Sequence, residues 1–270
     1  MTTIDLGPTG AVLSPGEEGF AATAGELERI GYSTIWLTGG PMEALSQVAD
    51  AVTATDSARI ATGIIPVDRF RSEDVAALYK RLEADAPGRF VVGLGGAHGA
   101  DPLGTLSAYL DRLDGTIPRD RRVMAALGPK MMGLARDRAA GAFPVLVTPD
   151  RVRQAKATLP DTTLAVEQLV VLDTDPASAR ATARGPLGFL GQVPAYQSSF
   201  RRMGFADADI ADLGDALVDG LVAWGDAAAI ADRVSALRDA GADHVAISVV
   251  SASSQPSLDE WRAVAAAVGR

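Results

Sequence analysis

The chain has 270 residues, 47% of them hydrophobic, a formal net charge of −9 and no cysteine. An acidic chain without a basic run repels phosphate backbones and anionic bilayers, and the missing cysteines exclude disulfides, thiolate nucleophiles and cysteine zinc sites. The length suits one barrel of roughly 250 residues, so residues 1–270 are expected to form a single domain; with no signal peptide and no apolar run of about 20 residues, the expected location is cytoplasmic.

Short β-branched runs alternate with stretches of helical period along the whole chain. Strands are expected at 11–13, 34–37, 59–65, 90–94, 123–127, 143–147, 164–172 and 243–249, the eight that a closed β/α barrel requires. Between them, Ser14-Pro15-Gly16-Glu17 reads as a capping box that opens the first helix. Ser72, Thr148 and Asp175 read as further N-caps, and Ser257 to Glu260 as a second capping box before the last helix. Gly31, Gly88, Gly141 and Gly241 are expected to end helices in the left-handed region. Repeated strand, cap, helix and glycine give a parallel sheet; an open doubly wound sheet is the alternative.

Three segments carry chemistry. Gly88-Arg89-Phe90-Val91-Val92-Gly93-Leu94-Gly95-Gly96-Ala97-His98 is an apolar strand that ends in glycines and then presents a histidine. A buried parallel strand ends this way where its backbone passes close to a ligand and delivers one titratable group. Further on, a strand runs through Leu127-Gly128-Pro129-Lys130-Met131 directly into a helix, whose free amides form an anion site to which Lys130 adds charge. A plain turn with a solvated lysine is the bland reading of the same residues. Finally, residues 185–226 break the alternation between strands seven and eight; they bear Tyr196, Arg201 and Arg202. This insertion is read as a lid or subunit contact, or as a cover for the barrel edge, and a homodimer is the form a subunit contact implies.

Other chemistries fit poorly. Gly93-Leu94-Gly95-Gly96-Ala97-His98 has a histidine where a dinucleotide fingerprint needs its third glycine, and no G-x-S-x-G elbow occurs. Two distant histidines do not make a metal site, and His244, at the start of the last strand, reads as structural.

Gly88 to Gly95 also resembles the fourth-strand signature of the bacterial luciferase-like family, flavin- and deazaflavin-dependent TIM barrels. Glu26 to Leu37 resembles that family's first helix and second strand, Ala61 to Pro66 its third-strand end, and Gly128 to Ala135 its phosphate-binding turn. Gly204-Phe205, Val222 to Asp226 and Ala240 to Val245 resemble the C-terminal third of an actinobacterial subfamily that uses coenzyme F420. The resemblance implies a (β/α)8 barrel, an F420-dependent oxidoreductase that moves hydride to or from a small organic substrate, and a non-proline cis peptide at Gly63-Ile64. It places the cofactor against Thr38, Gly39, Gly63, Ile64, Gly95 and Gly96, and its phosphate against Gly128, Pro129, Lys130 and Met131. An FMN-dependent monooxygenase and a non-catalytic barrel are the alternatives. The sequence departs from the subfamily after strand two, where Leu37-Thr38-Gly39-Gly40-Pro41 has no ionisable group. His98 is then the expected proton donor, or a residue that only hydrogen-bonds the cofactor.

Overall fold

The computed structural model describes residues 3–253 and 255–269. Its strands are β1 (Thr9–Leu13), β2 (Thr34–Thr38), β3 (Arg59–Gly63), β4 (Ile65–Pro66), β5 (Phe90–Gly95), β6 (Arg122–Met124), β7 (Gly141–Ala142), β8 (Thr163–Val171), β9 (Val222–Trp224) and β10 (His244–Val249). All pair in parallel, and β10 lies between β8 and β1, which closes the sheet. β3 and β4 form one interrupted stave on β5, so eight staves enclose the barrel. β9 is extra, pairing with only the last residues of β8, Leu169 to Val171.

Strand parity divides the core in two. Val12, Trp36, Ala61, Val91, Val123, Phe143, Ala165 and Ala246 fill the lumen, while their neighbours along each strand pack against the helices. In the lumen Trp36 stacks on Phe143 with ring centroids 4.1 Å apart and an interplanar angle of 9°, a pairing worth about 0.5–1.5 kcal/mol beyond the area buried. Below it, the Trp36 indole N–H donates to His244 Nε2 at 3.0 Å, and His244 Nδ1 lies 2.8 Å from Gly7 O.

The helix starts follow the cap chemistry in part. Thr148 and Asp175 each accept from the backbone N–H three residues on, with Pro149 and Pro176 in the first turn of α6 (Pro149–Thr158) and α7 (Pro176–Leu190). Ser257 and Glu260 complete a capping box at α12 (Leu258–Val268). Ser14 caps nothing: α1 (Phe20–Ile30) begins after Gly19, whose φ of 74° marks a turn that the two nearby glycines favour. Ser72 is the first residue of α3 (Ser72–Asp85), not its cap; its hydroxyl accepts from Arg112 Nε at 2.9 Å.

Three further expectations need correction. The sixth stave is Gly141–Ala142, not 143–147, which keeps only a single bridge at Val145; Pro144 within that run has no N–H to give a ladder. Gly141 therefore lies in a strand, whereas Gly31, Gly88 and Gly241 do have positive φ. The insertion expected from residue 185 does not begin there, because Gly185-Pro186 lies inside α7; the hydrogen bond lost at Pro186 is outweighed by the burial of Ala179, Ala183 and Leu187. The segment between β8 and β10 continues through α8 (Pro194–Arg202), α9 (Asp207–Asp212), α10 (Asp215–Leu221), β9 and α11 (Ala227–Asp239). Asp219 joins these pieces: it accepts from Arg180 Nε at 2.9 Å and Trp224 Nε1 at 2.8 Å.

Candidate active site at the barrel mouth

The strands are buried almost throughout, and the exceptions locate an opening. Thr38 and Gly63 at the ends of β2 and β3, Glu167 on β8 and Ser248 on β10 are the partly accessible residues at the upper end of the lumen. All belong to the inward-facing parity, so they look out at the C-terminal mouth, where barrels of this architecture place their chemistry. The floor beneath them is the Trp36–Phe143 stack.

At the mouth the ends of the strands are fitted closely together. The Gly63–Ile64 peptide is cis, and Ile64 lies between β3 and β4, packed against the lumenal cluster. Gly39, Gly63 and Gly95 have no room for a side chain: a Cβ there would come within 1.6 Å of Ile64 O, 2.9 Å of Phe143 Cε1 and 2.8 Å of Ala125 Cβ respectively. Gly96 follows with φ of 67°. The Thr38 hydroxyl is buried and has no hydrogen-bond partner, which a ligand with a polar edge would satisfy.

One side of the mouth is electropositive. Gly128 precedes α5 (Pro129–Arg138), and the first intrahelical bond is Met132 N–H to Gly128 O at 2.9 Å, which leaves the amides of Lys130 and Met131 free. The Met131 side chain packs against the core, and the Lys130 side chain is exposed. Two guanidinium groups meet the same turn: Arg151 Nη2 and Arg202 Nη2 donate to Leu127 O at 3.1 and 3.5 Å. Burial and the neighbouring Arg202 charge both push Arg151 down from its ordinary range, and its Nε has no partner. Two like charges held together without a carboxylate at a helix N-terminus make a place for an anion.

The remaining expected residues are scattered. His98 lies on the rim, its side chain 65% exposed, with Nδ1 2.6 Å from Asp68 Oδ2. Arg201 is engaged by Asp207 at 2.6 Å on the outer surface, so of the arginine pair only Arg202 reaches the mouth. Tyr196 on α8 packs with Phe200 and the second apolar cluster. Sequence reasoning missed Asp68, Arg151 and Glu167; the last was visible only as one charge inside the apolar run from Leu164 to Leu172.

Two surface depressions lie elsewhere. One of about 500 Å³ opens at the opposite end of the barrel beside Gly7 and His244, where Lys156 and Asp243 form an ion pair at 2.7 Å. Another, of about 460 Å³, lies beside the rim between Val67, Arg71, Tyr109 and Arg112. Among the described residues no cluster of side chains could hold a metal ion, and no helix is long and apolar enough to cross a membrane.

Comparison with known proteins agrees with this architecture. The barrel is similar to an F420-dependent secondary alcohol dehydrogenase solved with an F420-acetone adduct, with TM-score 0.74 and 16% identity over 99% of both chains. It is also similar to the coenzyme F420-dependent tetrahydromethanopterin reductase of Methanopyrus kandleri, with TM-score 0.72, 15% identity and coverage of 95% and 96%. The FMN-bound oxygenating constituent of 3,6-diketocamphane monooxygenase from the CAM plasmid of Pseudomonas putida follows with TM-score 0.63, 13% identity and coverage of 90% and 92%. At these identities the likeness shows the fold alone. No curated protein matches the sequence. The family model for luciferase-like monooxygenases matches residues 107–244, just over half of the chain, and the protein therefore belongs to the luciferase-like family.

Proposed function

We propose that this chain is an F420-dependent oxidoreductase that transfers hydride between the deazaflavin and a small organic substrate. The observation that carries the reading is the cationic turn before α5, where Arg151, Arg202 and two free amides converge without a carboxylate. F420 continues from its phosphate into a tail of carboxylates, whereas FMN ends at the phosphate. Exposed Arg202 and Lys130 extend the positive surface outward, which suits the longer anion.

The residues present fit such a cofactor. Thr38 offers an unpartnered hydroxyl, and Gly39, Gly63 and Gly95 let the staves at the mouth fit closely against one another. When bound, the deazaflavin supplies the hydride chemistry. Ile64 would hold the cofactor at the mouth, Trp36 and Phe143 close the lumen below it to water, and the turn before α5 would neutralise its phosphate. His98, tied to Asp68, hydrogen-bonds at the rim.

Titration of the purified protein with F420 and with FMN, followed by fluorescence, tests the reading. F420 is expected to bind, and more tightly than FMN. Tighter binding of FMN would turn the assignment to a flavin monooxygenase, the chemistry of the diketocamphane neighbour. Binding of neither would make this a barrel without the cofactor.

A further inference from the structure

The reading above leaves one lumenal group unused. Glu167 is the one residue of β8 that keeps partial access to solvent; it is otherwise enclosed and faces the lumen one pleat above Ala165. It lies between Val145 on one flank and Ala246 on the other, and its N–H donates to Pro144 O at 3.1 Å. Its carboxyl has no hydrogen-bond or ion-pair partner among the described residues. The groups offered by the flanking elements, Phe143 to Val145 and Ala246 to Ser248, carry no charge. From α8 comes one titratable neighbour, Tyr196, whose phenol is pushed up by burial and by the nearby Glu167 charge. With no cation to favour the carboxylate, burial holds the Glu167 carboxyl up at about 8.

We propose that Glu167, facing the lumen at the mouth without a partner, is the proton donor of this site: it protonates the substrate atom that gains an electron pair when hydride reaches an electron-poor double bond. This role rests on the deazaflavin reading. A C–H bond forms at the carbon of a C=O or C=N group as hydride arrives from the reduced deazaflavin, which is oxidised by two electrons. The π pair of that double bond takes the proton from Glu167 as its O–H bond breaks, and the carboxylate regains a proton from solvent at the mouth. His98 is less suited to this step, because it lies exposed on the rim and its Nδ1 is held by Asp68.

The test uses the intact protein and Glu167→Gln, which keeps the shape but cannot release a proton. In protein labelled with [13C]glutamate, one side-chain carboxyl resonance should titrate near pH 8 and be absent from the variant. Loss of the Glu167 proton puts a carboxylate in the lumen below an anionic cofactor, so F420 affinity should fall between pH 7 and pH 9.5 in the wild type, beyond any change in Glu167→Gln, which also corrects for the titration of F420 itself. All glutamate resonances titrating below about pH 6, or matching pH profiles in the two proteins, would overturn the role of Glu167 while leaving the cofactor in place. F420 failing to bind either protein at any pH would overturn the deazaflavin reading, and this step with it.

Discussion

Gly39 lies directly against the carbonyl of Ile64: a Cβ at position 39 would come within 1.6 Å of the Ile64 oxygen. The end of β2 and the break between β3 and β4 are thus fitted backbone to backbone, and neither can move without the other. Gly39→Ala must push the Ile64 peptide inward or part the two staves. Overpacking of this kind costs about 1–3 kcal/mol, so a lowered melting temperature is expected together with weaker F420 binding. Gly40, with nothing within 4 Å of its would-be Cβ, is the control; Gly40→Ala should leave both measurements near wild type. If Gly39→Ala melts like wild type, the fitted geometry is wrong.

The cationic turn makes a graded prediction. Lys130 is exposed and adds charge only at a distance, so Lys130→Ala should weaken F420 binding two- to threefold, roughly the value of a surface charge. Arg202 reaches the turn itself, and Arg202→Ala should cost about tenfold, the low end for a charge-assisted hydrogen bond. Gly128→Val would fit sterically, with only Arg202 Nη2 at 3.8 Å, yet it fills the space before the free amides and should abolish binding. Isothermal titration of the three variants at low and high salt checks the order. Equal affinities in all three would remove the turn from the site.

What could be read from sequence followed from local chemistry. Thr148-Pro149 and Asp175-Pro176 signal helix starts because cap and first turn are adjacent in the chain, and both hold. The same logic fails at Ser14, where Gly16 and Gly19 favour a turn over a helix, and at 143–147, where an apolar run conceals Pro144. Closure was expected from the strand count and is carried by β10 pairing with both β8 and β1. Glu167 was not legible because a strand buried on both faces has no polar alternation to tell lumen from helix side. Arg151 and Arg202 lie 51 residues apart in the chain and meet only through the fold.

His244 makes the protein sensitive to acid. It is buried, and burial pushes its imidazole down to about 4, against the hydrogen bond to Gly7 that raises it. The unfolded chain takes up that proton near pH 6.5, so stability is intact above this value and is lost as the pH falls towards 4. The full effect is on the order of 3 kcal/mol. Thermal melts between pH 7 and pH 4.5 should show the decline. His244→Leu leaves the Trp36 N–H without a partner, which costs about 1–3 kcal/mol at pH 7, but its melting temperature should depend less on pH over that interval. A variant as steeply pH-dependent as wild type would place the acid sensitivity elsewhere.

The last prediction separates the rim from the lumen. His98 and Asp68 form an exposed pair at 2.6 Å, and such pairs contribute about 0–1 kcal/mol to stability. His98→Ala should therefore melt close to wild type. If the imidazole only hydrogen-bonds at the rim, F420 affinity should fall several-fold, about the value of one hydrogen bond, with turnover at saturating cofactor nearly unchanged. A proton donor would behave in the opposite way: affinity would hold and the rate would drop by roughly 10²–10⁴-fold. Asp68→Asn adds a second criterion, because it keeps a hydrogen-bonding partner for the ring while removing the charge beside it. Under the rim role Asp68→Asn, which keeps the imidazole, should bind F420 nearer to wild type than His98→Ala does, and both should leave the pH profile of turnover in place. A profile that shifts in Asp68→Asn and vanishes in His98→Ala would transfer the proton step from Glu167 to His98.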